Sequence, residues 1–189
     1  DDRITGRISD FSPQSKKVHV DIDASSINKV IRVDLPILGD VGHVLEDAIK
    51  VWKARGRKVN REALAKWWAQ IEDWKAVKCL NYAPSETTIK PQYALERLEA
   101  LTKGKDRYIT TEVGQHQMWA AQFLGFEDPH RWMTSGGLGT MGYGFPASVG
   151  VQIAHPDALV ICVAGEASWL MNMQEMGTCT QFQAPVKQF

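Results

Sequence analysis

A loop carrying Gly136, Gly137, Gly139, Gly142 and Gly144 runs without a break into the apolar, small-residue stretch 145–154, and it limits what the chain around it can become. Glycines at that density let a ligand or another backbone approach closely, and a helix that starts there aims its free N–H groups at whatever approaches. After His155, Pro156 and Asp157 comes the run Leu159, Val160, Ile161, Cys162, Val163. A β-branched run without charge predicts a strand covered on both faces, as in a parallel sheet. The strand ends in Ala164, Gly165, Glu166, Ala167 and Ser168, and a helix is expected at once. Open parallel sheets bind ligands at the carboxyl ends of their strands, so an acidic side chain on this turn stands where a phosphate-bound cation would sit.

The neighbouring segments fit the same plan. Pro91 sets the start of a helix over 92–103, with Tyr93, Leu95, Leu98 and Leu101 on its inner face. Residues 107–112 predict the first strand of this domain and 113–117 its turn into a helix, where Gln115 and His116 stand beside N–H groups that favour an anion. Taken alone, His116 reads as a helix cap or a satisfied surface histidine. A short strand over 132–134 leads into the glycine loop. Upstream, 17–23 and 31–38 predict extended segments, followed by a helix with Val44, Leu45, Ala48, Ile49 and Trp52 at helical spacing. An acid closing such a strand can hold a ribose edge, and equally serves as a helix cap. Leu64, Trp67, Trp68, Ile71 and Trp74 form a stripe of the kind that anchors a helix on a core or an interface. The basic run 53–58 reads as a solvated helix end and linker rather than a nucleic-acid patch.

The expected class is therefore α/β, with three-layer parallel-sheet domains. Residues 1–59 read as the end of a Rossmann-like domain, 60–90 as a helical linker, and 91–189 as the first part of a second domain. With 22 basic and 22 acidic side chains the formal net charge is zero, which leaves no footprint for nucleic acid. Cys79, Cys162 and Cys179 are odd in number, lack metal-ligand spacing and read as reduced packing residues. No apolar run reaches the roughly 20 residues of a membrane span, and no signal peptide opens the chain. A soluble, reducing compartment is expected, the cytoplasm in a bacterium. The chain opens on Asp1, Asp2 and Arg3 and stops where an apolar strand is starting at 185–189, so it is expected to be an internal stretch of a longer polypeptide.

Three blocks carry a resemblance. GQHQMW at 114–119, SGGLGTMGYGFPA at 135–147 and MNMQEM at 171–176 resemble, in order, the large catalytic subunits of the acetohydroxyacid (acetolactate) synthase family of thiamine-diphosphate enzymes. Matches of that length in order are far more specific than a lone glycine pattern, and the likeness covers essentially the whole chain. It implies a transferase of branched-chain amino acid biosynthesis that joins two pyruvates, or pyruvate and 2-ketobutyrate, with loss of carbon dioxide. It further implies FAD in the middle domain (1–59), thiamine diphosphate and Mg²⁺ in the domain at 91–189, a homodimer or homotetramer, and a small regulatory subunit.

Residue by residue, the resemblance implies that Gln115, His116, Gly139, Met141, Gly165, Ala167 and Ser168 contact thiamine diphosphate, with Met141 as the apolar wedge that bends it. The Gly139 carbonyl and the Met141 N–H would hold the aminopyrimidine edge. The family pattern Asp-Asp-Arg-Val-Thr-Gly matches 1–6, with Ile4 in the valine place. Asp2 and Arg3 would then line the flavin and substrate channel, and Arg3 would meet the second substrate's carboxylate, which a planar guanidinium suits. Asp21, Ile22, Gly39, Asp40 and Val41 fall on contacts to the adenosine end of FAD, whose implied role is structural.

Glu166 is the implied metal ligand and the point of departure, because the family has Gly-Asp-Ala-Ser where this chain has Gly165, Glu166, Ala167, Ser168. Glutamate keeps the charge and adds a methylene, while Mg²⁺ demands near-ideal octahedral geometry at about 2.0–2.1 Å. Weaker metal and cofactor binding is expected. The second metal ligand and the proton-relay glutamate of the family are expected outside these residues, so no catalytic acid is assigned here and the chain alone is expected to be inactive. Two other readings stay open: another thiamine-diphosphate-dependent decarboxylase or oxidase, and a non-catalytic thiamine-fold binding protein in which Glu166 marks a decayed metal site. A plain dinucleotide-binding domain fits less well, since no clear G-x-G-x-x-G follows a strand.

Overall fold

The computed structural model describes residues 6–189, which divide into two compact units meeting between Val77 and Lys78. Asp2 and Arg3, expected in the flavin and substrate channel, lie outside the described residues.

In the first unit, β1 (Val18–Asp21) and β2 (Leu35–Leu38) pair in parallel, with Asp21 opposite Leu38. Parallel neighbours need a crossing connection rather than a hairpin, and Asp34 anchors its return by accepting from the Lys17 N–H. Helix α1 (Val41–Ala54) starts directly after β2, because the Asp40 carboxylate accepts from the N–H groups of Gly42 and His43. Helix α2 (Arg61–Ala76) starts in the same way on Asn60, whose side chain accepts from the Ala63 N–H. Neither helix has a buried residue. The stripe expected to anchor α2 is thus left uncovered: Trp67, Trp68 and Trp74 are each about half exposed, and Trp67 meets Trp74 edge to face with centroids 5.5 Å apart. Of the segment expected as a helical linker, α2 falls in the first unit and 78–90 in the second.

The second unit opens with α3 (Pro91–Thr102), whose first residue is the proline expected to start it. Then follow β3 (Arg107–Thr111), α4 (Gln115–Phe123), β4 (Trp132–Thr134), α5 (Gly144–Ala154), β5 (Leu159–Val163), α6 (Glu166–Leu170), α7 (Glu175–Gln181) and β6 (Lys187–Gln188). All four strands are parallel, in the order β4-β3-β5-β6. Neighbouring residues on a strand point to opposite faces, so Ile109, Ile161 and Val163 meet Leu95 of α3 and Ala120 of α4 on one side, while Cys162 meets Phe145 and Val149 of α5 on the other. The result is an α/β/α sandwich of three layers. Both faces being covered, β5 is apolar at every position, and fully burying a side chain of that size contributes about 1.5–3 kcal/mol.

At the amino end of β3, buried Arg107 donates to Thr102, Glu99 and the Gly125 carbonyl, tying α3 and the α4–β4 connection to the sheet. At the carboxyl end the chain does something different. From β3 it runs through α4 to β4 on one side, then returns through α5 to β5 on the other side of β3. The loops leaving β3 and β5 therefore part in opposite directions, and such a switch point is where open α/β sheets leave a crevice for ligand.

Candidate functional site

His116 stands in that crevice. It is the second residue of α4, and its ring lies against the turn that follows β5: a methyl built on Gly165 would fall 3.0 Å from His116 Nδ1 and 3.1 Å from Cε1. Gly114 makes room on the other flank, since a methyl there would sit 2.8 Å from the same Cε1. A side chain at Gly114 would push the ring aside, and one at Gly165 would need it to give by a few tenths of an ångström. Burial pulls the His116 pKa below its ordinary 6.5, while a hydrogen bond to the Glu112 backbone and the charges of Glu112 and Glu166 push the other way. Its Nε2 is buried and has no hydrogen-bond partner. An orphaned buried ring nitrogen beside a helix N-terminus is the feature a bound anionic group would satisfy, so the residues fit a diphosphate.

The β5–α6 turn supplies the facing wall. Ser168 is buried and donates from its hydroxyl to the Gly165 carbonyl at 3.1 Å, closing the turn. Glu166 is the first residue of α6 and is exposed, as is Ala167. Its carboxylate is near enough to His116 to act on the ring's charge. Among the described residues, no three His, Cys, Asp or Glu side chains gather into a metal cluster. Gln115 opens α4 and is exposed; the next glutamine, Gln117, donates to the Thr134 hydroxyl at 2.6 Å, and Thr134 in turn meets the Thr111 hydroxyl at 2.6 Å. These bonds hold the start of α4 to the ends of β3 and β4.

The glycine loop closes the third side. Gly139 has φ +67°, its N–H donates to the Ser135 carbonyl, and the Thr140 N–H donates to the Ser135 hydroxyl. Met141 follows with 40% of its surface exposed, an apolar side chain on a loop whose next residues are firmly tied down. The Glu112 carboxylate, fully buried at the end of β3, accepts from the N–H groups of Gly142 at 2.7 Å and Phe145 at 2.9 Å. Asn172 donates to the Gly142 carbonyl at 2.5 Å, and Thr110 to the Gly144 carbonyl at 2.9 Å. Sequence reasoning gave none of these three anchors a role. The available signal was an acid at the carboxyl end of the strand expected over 107–112, following two threonines and far from the Arg107 that opens it.

In the first unit the expected flavin contacts come together at the carboxyl ends of β1 and β2. The Gly39 N–H donates to the Asp21 carbonyl at 2.8 Å, which sets Asp21 and Ile22 beside Gly39, Asp40 and Val41. Ile22 and Val41 are exposed. Asp21 accepts from the Asp23 N–H and faces His19, and Asp40 is engaged as the α1 cap. Exposed apolar side chains next to the start of a helix, at the carboxyl ends of parallel strands, fit the edge of a nucleotide.

A parallel sheet with a switch-point crevice, an orphaned histidine and a glycine loop has the make-up of an α/β domain that takes a phosphate-bearing cofactor. Residues 112–189 match the thiamine pyrophosphate enzyme C-terminal TPP binding domain, and residues 1–48 match the central domain of the same enzymes. The chain belongs to the thiamine pyrophosphate enzyme family. More particularly, it is 45% identical over 186 residues to the acetolactate synthase isozyme 3 large subunit of Escherichia coli (strain K12), covering 98% of this chain and 32% of that protein. The acetolactate synthase large subunit of Haemophilus influenzae (strain ATCC 51907 / DSM 11121 / KW20 / Rd) gives the same identity and coverage, 45% over 186 residues with 98% and 32% covered. That of Porphyra purpurea is 43% identical over 187 residues, with 99% of this chain and 31% of that one covered. The chain spans about a third of the length of the curated relatives it matches.

Proposed function

We propose that this chain is part of an acetolactate synthase large subunit, which joins two pyruvates, or pyruvate and 2-ketobutyrate, with loss of carbon dioxide. The second unit would hold thiamine diphosphate and Mg²⁺, and the first would hold the adenosine end of FAD, with Arg3 toward the second substrate. The buried, unpartnered Nε2 of His116 in the switch-point crevice carries the reading. When bound, thiamine diphosphate supplies the electron sink for the decarboxylation and carbon–carbon bond formation.

The chain's own residues bind and orient. His116 and the N–H groups opening α4, with Gln115, hold the diphosphate, together with the Gly165, Ala167 and Ser168 turn. Glu166 holds the metal. Met141 presents its apolar side chain as the wedge, and the backbone of Gly139 and Met141 holds the pyrimidine edge. A histidine kept neutral by burial takes on a proton when an anion arrives beside it, which strengthens the contact. Assembly as a homodimer or homotetramer with a small regulatory subunit, in the bacterial cytoplasm, belongs to the same proposal; no helix among the described residues is long and apolar enough to cross a membrane.

The test is calorimetry of Mg²⁺-dependent thiamine diphosphate binding to the full-length protein carrying this sequence, compared with Glu166→Asp. Binding by both supports the synthase with glutamate as an acceptable ligand. Binding by the aspartate form alone favours the second reading that Glu166 suggests, a thiamine-fold binding protein with a decayed metal site. Binding by neither overturns the cofactor assignment. Among proteins that bind, release of acetolactate rather than aldehyde or acetyl phosphate from pyruvate separates the synthase from other thiamine-dependent decarboxylases and oxidases.

A further inference from the structure

We infer that Glu112 and Asn172 are positioning residues that clamp Gly142 from both sides and so fix the Met141 side chain; the inference rests on the reading of Met141 as the cofactor wedge. The Gly142 N–H belongs to the same peptide plane as the Met141 carbonyl, and Glu112 Oε2 accepts from it at 2.7 Å. The Gly142 carbonyl belongs to the next plane, and Asn172 Nδ2 donates to it at 2.5 Å. Holding both planes fixes φ and ψ of Gly142, and the first of them is also the plane that sets ψ of Met141, so the Met141 backbone is held on its carboxyl side. Two further bonds stiffen the clamp. Glu112 Oε1 accepts from the Phe145 N–H at 2.9 Å at the start of α5, and Gln174 Nε2 donates to Asn172 Oδ1 at 3.0 Å, which fixes which end of the amide faces Gly142.

The fit depends on glycine, since residue 142 has φ +86° and a methyl on it would lie 2.7 Å from Asn172 Nδ2. Glu112 is wholly buried, so its charge is met by N–H donors of the loop, and such charge-assisted bonds are about twice as strong as neutral ones. The two side chains come from the ends of different elements, one closing β3 and one in the α6–α7 connection. The loop is therefore fixed to the end of β3 and to the α6–α7 connection at the same point.

Asn172→Asp is isosteric, removes the donor and turns an oxygen toward the Gly142 carbonyl. Glu112→Gln is isosteric and turns one N–H against another. In hydrogen-exchange mass spectrometry of the full-length protein without cofactor, both substitutions are expected to raise exchange across 138–145 about tenfold or more, as expected when local opening becomes easier, while β3 and β5 stay protected. At saturating thiamine diphosphate and Mg²⁺, kcat is expected to fall roughly tenfold to a hundredfold, the scale of a misplacement of about 1 Å, with the KM for pyruvate and the cofactor Kd nearly unchanged. In a Met141→Ala background the same Asn172→Asp change is expected to cost little more, because residues acting through one group are not additive.

Unchanged loop exchange overturns the clamp, and so does a retained kcat or an effect of Asn172→Asp that is independent of Met141. If Glu112→Gln fails to fold, Asn172→Asp carries the test. A wild-type protein that binds no thiamine diphosphate defeats the functional reading, and the exchange comparison then decides the clamp by itself.

Discussion

Substituting Gly144 by alanine is expected to be strongly destabilising, although a glycine-to-alanine change at a helix position ordinarily gains about 0.5–1 kcal/mol. The first residue of α5 lies directly on the backbone of β3. An added methyl would sit 2.5 Å from the Glu112 nitrogen, 2.5 Å from the Thr111 carbonyl carbon and 2.7 Å from its oxygen. Carbon contacts are comfortable only near 3.5–4.0 Å, and all three obstructing atoms are main chain, so no rotamer can relieve them. The start of α5 must move about 1 Å away from the sheet. That breaks the Thr110 hydroxyl bond to the Gly144 carbonyl, worth about 1 kcal/mol, and adds overpacking of about 1–3 kcal/mol. After the helix gain is subtracted, about 1–3.5 kcal/mol is lost, which for a domain of this size lowers the melting temperature by roughly 4–14 °C. Gly150 is the internal control: it lies in the same helix, is exposed and has nothing within 4 Å of its added methyl, so Gly150→Ala should raise the melting temperature by a few degrees, in keeping with about 0.5–1 kcal/mol. Thermal unfolding followed by circular dichroism compares the two. If Gly144→Ala melts within 2–3 °C of the wild type, roughly the effect of less than 1 kcal/mol, the close approach of α5 to β3 is refuted.

The remaining expectations concern titration and thiol chemistry. His116 is held below its ordinary 6.5 by burial, so the unfolded chain takes up a proton that the folded chain resists; the stability it contributes is present above 6.5 and drains away as the pH falls through the lowered folded value. Between 6.5 and that lowered value, unfolding midpoints of His116→Gln should consequently fall less steeply with pH than those of wild type, and parallel curves would contradict the burial. The Cys162 thiol is pushed up to about 12 by burial, Cys179 is raised by partial burial, and Cys79 is exposed. A thiol reagent at pH 8 should label Cys79 first, Cys179 slowly and Cys162 only after unfolding, because the thiolate is the reactive form; equal labelling of all three in the native chain would be inconsistent with the packing of β5 against α5.

Local order left clear marks in the sequence. Strand 159–163 was legible to the residue, because burial on both faces writes itself as an unbroken β-branched run. Pro91 set the start of a helix from chemistry that acts within one turn, and Asp40 turned out to cap the next helix of the first unit in the same local way. What stayed hidden depends on contacts between distant residues. Glu112 read as the end of a strand, and nothing near it announces that its carboxylate serves N–H groups 30 and 33 residues further on. The same holds for His116, whose close approach to Gly165 joins two turns far apart in the chain and leaves no mark in the residues around it. The tryptophans of α2 gave the spacing of a face, but a spacing does not say whether anything covers it.

The strand order bears on how the unit must fold. β3 and β5 lie side by side, yet the chain between them has to make α4, β4 and α5 first, so the central pairing closes a loop of about fifty residues and is entropically slow to form. The crevice needs the ends of both strands, and it can exist only after that closure. Early species on the folding route would hold helices and single strands with their apolar faces bare, and the ability to bind cofactor would arrive in one late step together with the sheet.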